Sequence, residues 1–160
     1  MKTVWVSGAS TGIGFATAKK FLNNNWKVII SSSNYEKLLL AKKQLLLKSK
    51  NKELYAYKCD ISDRNQVTET VNKITKQIGN INLAILNAAA YTPNKEQVFS
   101  IQNFEKLIDV NLKGTLFCIE NLINNMKNNQ NHIAIMASPV GYRGLPTGAA
   151  YGLTKAGLIN

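Results

Sequence analysis

Five short apolar runs punctuate this chain, and a longer segment with helical periodicity follows each of them. The runs are Thr3-Val4-Trp5-Val6-Ser7, Lys27-Val28-Ile29-Ile30-Ser31, Leu54-Tyr55-Ala56-Tyr57, Leu83-Ala84-Ile85-Leu86 and His132-Ile133-Ala134-Ile135-Met136. Short β-branched and aromatic runs of this kind read as strands. Strands that are apolar almost throughout suit a sheet covered on both faces. Strict alternation with helices makes the sheet parallel, and right-handed crossovers then give an α/β, doubly wound fold.

The intervening segments carry their own signals. Gly12 to Asn24 reads as a helix stopped by Asn23-Asn24-Asn25, and Glu36 to Lys50 as a helix rich in Leu and Lys. Asp63 is placed to cap a helix in which Val67, Val71, Ile74 and Ile78 recur at helical spacing, with Gly79 closing it. A long helical stretch runs from about Phe99 to Met126, weakened at Asn111 and Gly114, and a last one runs from Tyr151 to Asn160. On the stretch from Leu112 to Met126, Leu112, Leu116, Cys118, Ile119, Leu122, Ile123 and Met126 form an apolar band. That band spans roughly 160°, more than the ~100° that covers one sheet face.

Composition narrows the function classes. A chain of 160 residues is one domain, long enough to bury a core without a staple. Cys59 and Cys118 stand alone and His132 is the single histidine, which argues against a Cys/His zinc site. No apolar run approaches the ~18 residues of a membrane span, and the N-terminus does not read as a signal peptide. The expectation is a cytoplasmic protein with no membrane partner. The formal net charge is +11, but 18 Lys stand against only 2 Arg, and the lysines are scattered over different segments. Arg is the residue suited to bidentate phosphate and base recognition, so the charge reads as solvated lysine faces rather than a nucleic-acid surface.

In a doubly wound sheet, ligands sit beyond the carboxyl ends of the strands. The first run leads into Ser7-Gly8-Ala9-Ser10-Thr11-Gly12-Ile13-Gly14, a GxxxGxG turn opening a helix. Such a turn lets backbone approach a pyrophosphate at the helix N-terminus; alone it could be a mere tight turn, and its place in the first strand-turn-helix favours binding. Ser31-Ser32-Ser33-Asn34 follows the second run and offers hydroxyls where a carboxylate would grip the ribose of NAD. Asp60-Ile61 follows the third, able either to accept from an adenine amino group or to play a helix-capping role near Ser62-Asp63. Asn87-Ala88-Ala89-Ala90 follows the fourth with small side chains, and Ser138 follows the fifth. Tyr151 and Lys155 then share one helical face at i, i+4. An ammonium beside a phenol lowers the phenol's pKa, which would make Tyr151 an acid/base near neutral pH.

Taken in order, the GxxxGxG turn, Asp60, Asn87, Ser138, Tyr151 and Lys155 give a chain that resembles the short-chain dehydrogenase/reductase family, in its short single-domain form. The resemblance implies a Rossmann-like, NAD(P)-binding domain over residues 1–160 and an NAD(P)-dependent oxidoreductase acting on a small carbonyl or alcohol substrate. It implies a catalytic set of Asn111, Ser138, Tyr151 and Lys155. Tyr151 would exchange a proton with the substrate oxygen, Ser138 would polarise that oxygen, and Lys155 would tune Tyr151 and hold the nicotinamide ribose. Asn111, at a helix kink, would complete a proton relay through water. Cofactor contacts would come from Gly8, Ser10, Thr11, Gly12, Ile13, Gly14, Ser32, Ser33, Asp60, Ile61, Asn87, Ala88 and Ala89, together with Tyr151 and Lys155. The hydroxyls of Ser32 and Ser33 favour NADP, with NAD the alternative.

The family's Asn-Asn-Ala-Gly motif is Leu86-Asn87-Ala88-Ala89 here, and its Tyr-x-Ala-Ser-Lys motif is Tyr151-Gly152-Leu153-Thr154-Lys155. The resemblance spans nearly every residue present but only about the first two-thirds of a family member. It implies an incomplete C-terminus: the rest of the last helix, two strands, a nicotinamide loop and the substrate lid are expected to be lacking. The loops 91–98 and 140–147 would line a substrate pocket, and the 112–126 helix would build a homo-oligomer. Two functional readings therefore stand: an NAD(P)-dependent oxidoreductase, or a truncated dinucleotide-binding remnant or binding module without turnover.

Overall fold

A computed structural model describes residues 1–91, 100–126, 131–145 and 148–160. Five strands form one parallel sheet: β1 (Thr3–Ser7), β2 (Lys27–Ser32), β3 (Leu54–Lys58), β4 (Leu83–Leu86) and β5 (His132–Ile135). Their order is β3-β2-β1-β4-β5, so the chain winds outward from β1 in both directions. The register pairs Trp5 with Ile29 on one side and Ala84 on the other. The doubly wound α/β architecture expected from the alternation is the one observed.

The helices are α1 (Gly12–Asn23), α2 (Tyr35–Lys48), α3 (Arg64–Gln77), α4 (Ile101–Leu107), α5 (Gly114–Asn125) and α6 (Ala149–Ile159). They divide the core in two. Val4, Val6, Val28 and Ile30 point to the side holding Ala18 and Leu22 of α1 and Leu38 and Leu45 of α2. Trp5, Ile29, Ala84 and Leu86 point to the other, holding Val67, Val71 and Ile74 of α3 and Cys118 and Leu122 of α5. Adjacent residues of each strand serve opposite cores, as strand geometry requires. No helix among the described residues is long and apolar enough to cross a membrane.

Local signals operate as read, with small shifts of boundary. Asp63 caps α3 by accepting from the backbone N–H groups of Asn65 and Gln66. Asn34 caps α2, accepting from Lys37, so α2 starts one residue earlier than expected and ends at Lys48. The long stretch read as one helix is a composite. A π-helical turn, Ile108–Lys113, separates α4 from α5, and Phe99 lies outside the described residues. The Asn111 carbonyl accepts from the Thr115 hydroxyl at 2.7 Å within this turn. Gly114 follows it, and a Cβ there would come 2.8 Å from the Ile61 side chain. The weak point seen at Asn111 and Gly114 is thus a change of winding, seated against the loop after β3.

β5 is an edge strand, half-buried to exposed along its length. On α5 the apolar band splits: Cys118 and Leu122 are buried, whereas Leu116 and Ile123 are 59% and 62% exposed.

Candidate active site

The strands all run the same way, so their carboxyl ends open on one rim. There the turn after β1 is set by two glycines in the left-handed region, Gly8 at φ +64° and Gly12 at φ +58°. A Cβ on Gly8 would come 2.6 Å from the Cα of Ala88, so the turn lies against the loop after β4. The contact is held by hydrogen bonds. The Ser7 hydroxyl accepts from the backbone of Asn87 and Ala88, at 3.0 and 3.1 Å. The Asn87 amide donates back to the carbonyls of Ser7 and Gly8, both at 3.1 Å.

A cleft of about 610 Å³ opens at this rim. Gly8, Ser10, Thr11, Gly12, Ile13, Ser32, Ser33, Asp60, Ile61, Asn87, Ala88 and Ala89 all line it. Gly14 does not; it lies beneath, where a Cβ would strike the Asn87 amide at 2.5 Å. The cleft also takes in Ala90, the last of the small-residue run after β4, and Cys59, Lys106 and Val110, which no spacing in the sequence marked. The Asp60 carboxylate serves its own turn as well, accepting from the backbone and hydroxyl of Ser62 at 3.0 and 2.7 Å.

These surroundings fit a dinucleotide. Thr11 stands at the N-cap of α1 without a side-chain capping bond, which leaves first-turn amides of α1 for an anion. Gly12 lines the cleft, and a Cβ on it would meet no atom within 4 Å.

The second group of predicted residues lies apart from the lining of this cleft and is tied to it by Asn111. The Asn111 side chain is buried, accepts from the Ala90 backbone at 2.8 Å and donates to the Ala90 carbonyl at 3.1 Å. It also donates to the Thr154 hydroxyl at 3.0 Å, and that hydroxyl donates to the Tyr151 carbonyl at 2.8 Å. Thr154 was missed by the sequence reading. Its only signal was position, between Tyr151 and Lys155 on the same short helix.

Ser138 begins the 3₁₀ turn Pro139–Gly141 and accepts from the Val140 backbone at 3.4 Å. This turn packs closely on α6: a Cβ on Gly141 would come 2.8 Å from the Lys155 carbonyl carbon. Tyr151 meets Tyr91 edge-to-face, with centroids 4.9 Å apart, and is half-buried. Lys155 is 2% exposed. Its ammonium donates to the Met136 carbonyl at 2.7 Å and lies 5.5 Å from the centroid of the Tyr151 ring.

Burial pushes the Lys155 ammonium below its ordinary value. Burial, with Tyr91 adding to it, pushes the Tyr151 phenol up. The expectation that Lys155 lowers the phenol is therefore corrected: the ammonium faces the ring and a carbonyl, and desolvation governs both groups. Of the loops expected to line a substrate pocket, residues 92–98 and 146–147 lie outside the described residues.

Known proteins are similar to this chain in sequence and in fold. The family model described as short chain dehydrogenase matches residues 2–160. An uncharacterised oxidoreductase of Staphylococcus epidermidis is 28% identical over 98% of this chain and 66% of its own length. A 3-oxoacyl-[acyl-carrier-protein] reductase of Rickettsia typhi is 33% identical, over 99% of this chain and 62% of that protein. The solved serine dehydrogenase of Escherichia coli superposes with a TM-score of 0.87 at 26% identity, covering 98% of this chain and 71% of that one. The chain thus spans just under two thirds of the length of these curated relatives. With the glycine turn, the cleft and the Tyr-Lys helix already in place by geometry, the match over residues 2–160 settles the lineage: this chain belongs to the short chain dehydrogenase family.

Proposed function

We propose that this chain carries the dinucleotide-binding and proton-transfer parts of an NAD(P)-dependent oxidoreductase that interconverts a hydroxyl and a carbonyl. One observation carries the reading. A glycine turn with two left-handed residues opens, at the carboxyl ends of β1 to β4, onto a cleft lined by twelve of the residues expected to hold the cofactor. A nicotinamide dinucleotide, when bound, supplies the hydride chemistry. The protein's part is placement and protons. The α1 amides and the Ser10–Gly12 backbone hold phosphate, Asn87 braces the turn, and Ala88 and Ala89 leave room beside it. Tyr151 gives or takes the proton at the substrate oxygen, Ser138 donates a hydrogen bond to that oxygen, and Lys155 holds positive charge beside Tyr151. Asn111 positions α6 against the cleft. The same reading includes a homo-oligomer through α5, supported by exposed Leu116 and Ile123 on that helix.

A second reading, a dinucleotide-binding module without turnover, is favoured by one specific contact. Lys155 spends a hydrogen bond on the Met136 carbonyl while the Tyr151 phenol is pushed up rather than down. Purified protein decides between the two. Carbonyl-dependent oxidation of NADPH or NADH that Tyr151→Phe abolishes supports the oxidoreductase. Saturable nucleotide binding with no oxidation over a panel of ketones and aldehydes supports the module. A chain that binds neither nucleotide refutes both.

A further inference from the structure

α2 is apolar on two sides. Leu38, Ala41 and Leu45 are buried and turn one side to the core. The outer side carries leucines as well: Leu40 is 60% and Leu47 75% exposed, with Leu39 at 44%. Leu40 and Leu47 are seven residues apart, so they recur along the same side of the helix. An open groove of about 510 Å³ lies here, lined by Leu39, Lys42, Lys43, Leu46, Leu47 and Lys52. Lys52 fastens the segment after α2, donating to the carbonyls of Leu46 and Ser49 at 2.5 and 2.8 Å. Nothing in the cofactor cleft uses this face.

The charge on it has one sign. From Lys37 to Lys52 the chain holds six lysines and no carboxylate. Glu36 and Glu53 flank the stretch, and Glu53 accepts from the Tyr55 hydroxyl at 3.0 Å. Among the described residues, no carboxylate pairs with Lys42 or Lys43. Lysines spread over the whole chain read as solvated; this stretch differs because exposed leucines are interleaved with them. Two features choose the occupant. All lining residues come from α2 or the segment directly after it, so the groove has one wall and suits a broad surface better than an inserted helix. A second copy of the chain on this face would set lysine against lysine. An anionic bilayer meets both conditions. Its surface potential attracts the lysines, and leucines enter the boundary between headgroups and acyl chains. Apolar anchors and a basic cluster on one helix are the two signals that surface attachment takes. α2 would lie on the bilayer and not cross it.

We propose that the outer face of α2 docks on an anionic lipid bilayer, with Leu39, Leu40 and Leu47 as apolar anchors and Lys42 and Lys43 on the headgroups. This face thus departs from the expectation of no membrane partner, and it is independent of the dinucleotide reading. Co-sedimentation with vesicles tests it, using phosphatidylcholine alone and an equimolar mixture with phosphatidylglycerol. The variants are Lys42→Gln with Lys43→Gln, Leu40→Ser with Leu47→Ser, and, as a charge-matched control, Lys73→Gln with Lys76→Gln on α3 across the sheet. The unaltered chain is expected to bind the anionic vesicles and not phosphatidylcholine. The Lys42/Lys43 pair is expected to weaken binding about twenty-five-fold, two factors of about five for charges near such a surface. The Leu40/Leu47 pair is expected to weaken it about tenfold or more, and the α3 control to stay within about twofold. Both leucines are exposed, so circular dichroism is expected to show the fold retained. An unaltered chain that fails to bind anionic vesicles overturns the proposal. So does an α3 control that weakens binding as much as the Lys42/Lys43 pair, which is adsorption by net charge, or a Leu40/Leu47 pair without effect. A synthetic amphipathic helix of Glu and Leu, run in parallel, covers the protein alternative: binding of that peptide without binding to vesicles also overturns it.

Discussion

Asn111 and Thr154, 43 residues apart in sequence, meet in a buried 3.0 Å hydrogen bond that fastens α6 to the π-helical turn. Asn111 is also bonded twice to Ala90 on the cleft, so this one amide spans from the cofactor cleft to the helix bearing Tyr151 and Lys155. Replacing Thr154 with the isosteric Val leaves a buried N–H without its partner. The expected loss of stability is about 1–3 kcal/mol by urea denaturation, with Thr154→Ser recovering most of it.

The two left-handed glycines call for different penalties. Gly8→Ala places a methyl within 2.6 Å of the Ala88 backbone as well as forcing an unfavourable φ, so loss of more than about 3 kcal/mol is expected. Gly12→Ala meets no atom within 4 Å and bears only the backbone cost, about 1–2 kcal/mol. Thermal melts rank the two. Gly12→Ala is the more informative in binding, because Gly12 lines the cleft and its methyl meets no protein atom: a folded protein with weakened nucleotide affinity is the expected outcome.

Lys155 gives stability a pH dependence of predictable sign. Its folded pKa is below the ordinary lysine value of 10.5, so between those two values the unfolded chain holds more protons than the folded one. Stability from this group therefore rises with pH across that window, and the cost of the buried charge is fully felt below it. Lys155→Met is expected to flatten the rise and to raise stability by about 1 kcal/mol at neutral pH. Denaturation midpoints measured from pH 7 to 11 test this; an unchanged slope refutes it. Tyr151, whose phenol is pushed up, contributes the opposite slope above its ordinary value of 10.0 and is the partner control as Tyr151→Phe.

Exposed Leu116 and Ile123 lie seven residues apart, on one face of α5. Sedimentation velocity is expected to show association of the unaltered chain that the double substitution Leu116→Ser, Ile123→Ser reduces, with secondary structure by circular dichroism retained. A monomer in both cases removes α5 as an interface.

Much of the scaffold was readable because each signal was local. Strand runs such as Thr3–Ser7 and Leu83–Leu86 are apolar on both faces, and the Asp63 cap needs only the next three residues. The glycine turn was readable for the same reason: its spacing carries its geometry. What escaped depended on distant partners. The π-helical turn holds Asn111 against Ala90 and Thr154, neither of them adjacent in sequence. Thr154 itself looks like a spacer until α6 is folded onto that turn. The pKa of Tyr151 was read from one neighbour, Lys155, whereas burial beside Tyr91 decides it.

The placement of β1 bears on how the chain is made. β1 is made before the other four strands yet occupies the middle of the sheet, paired with β2 on one flank and β4 on the other. The β1–β2–β3 half can assemble from sequential neighbours as soon as Lys58 is available. The other flank of β1 must wait until Leu83–Leu86 has been synthesised. For the interval in between, a nascent chain presents an unpaired hydrogen-bonding edge on the strand that the finished sheet buries at every residue.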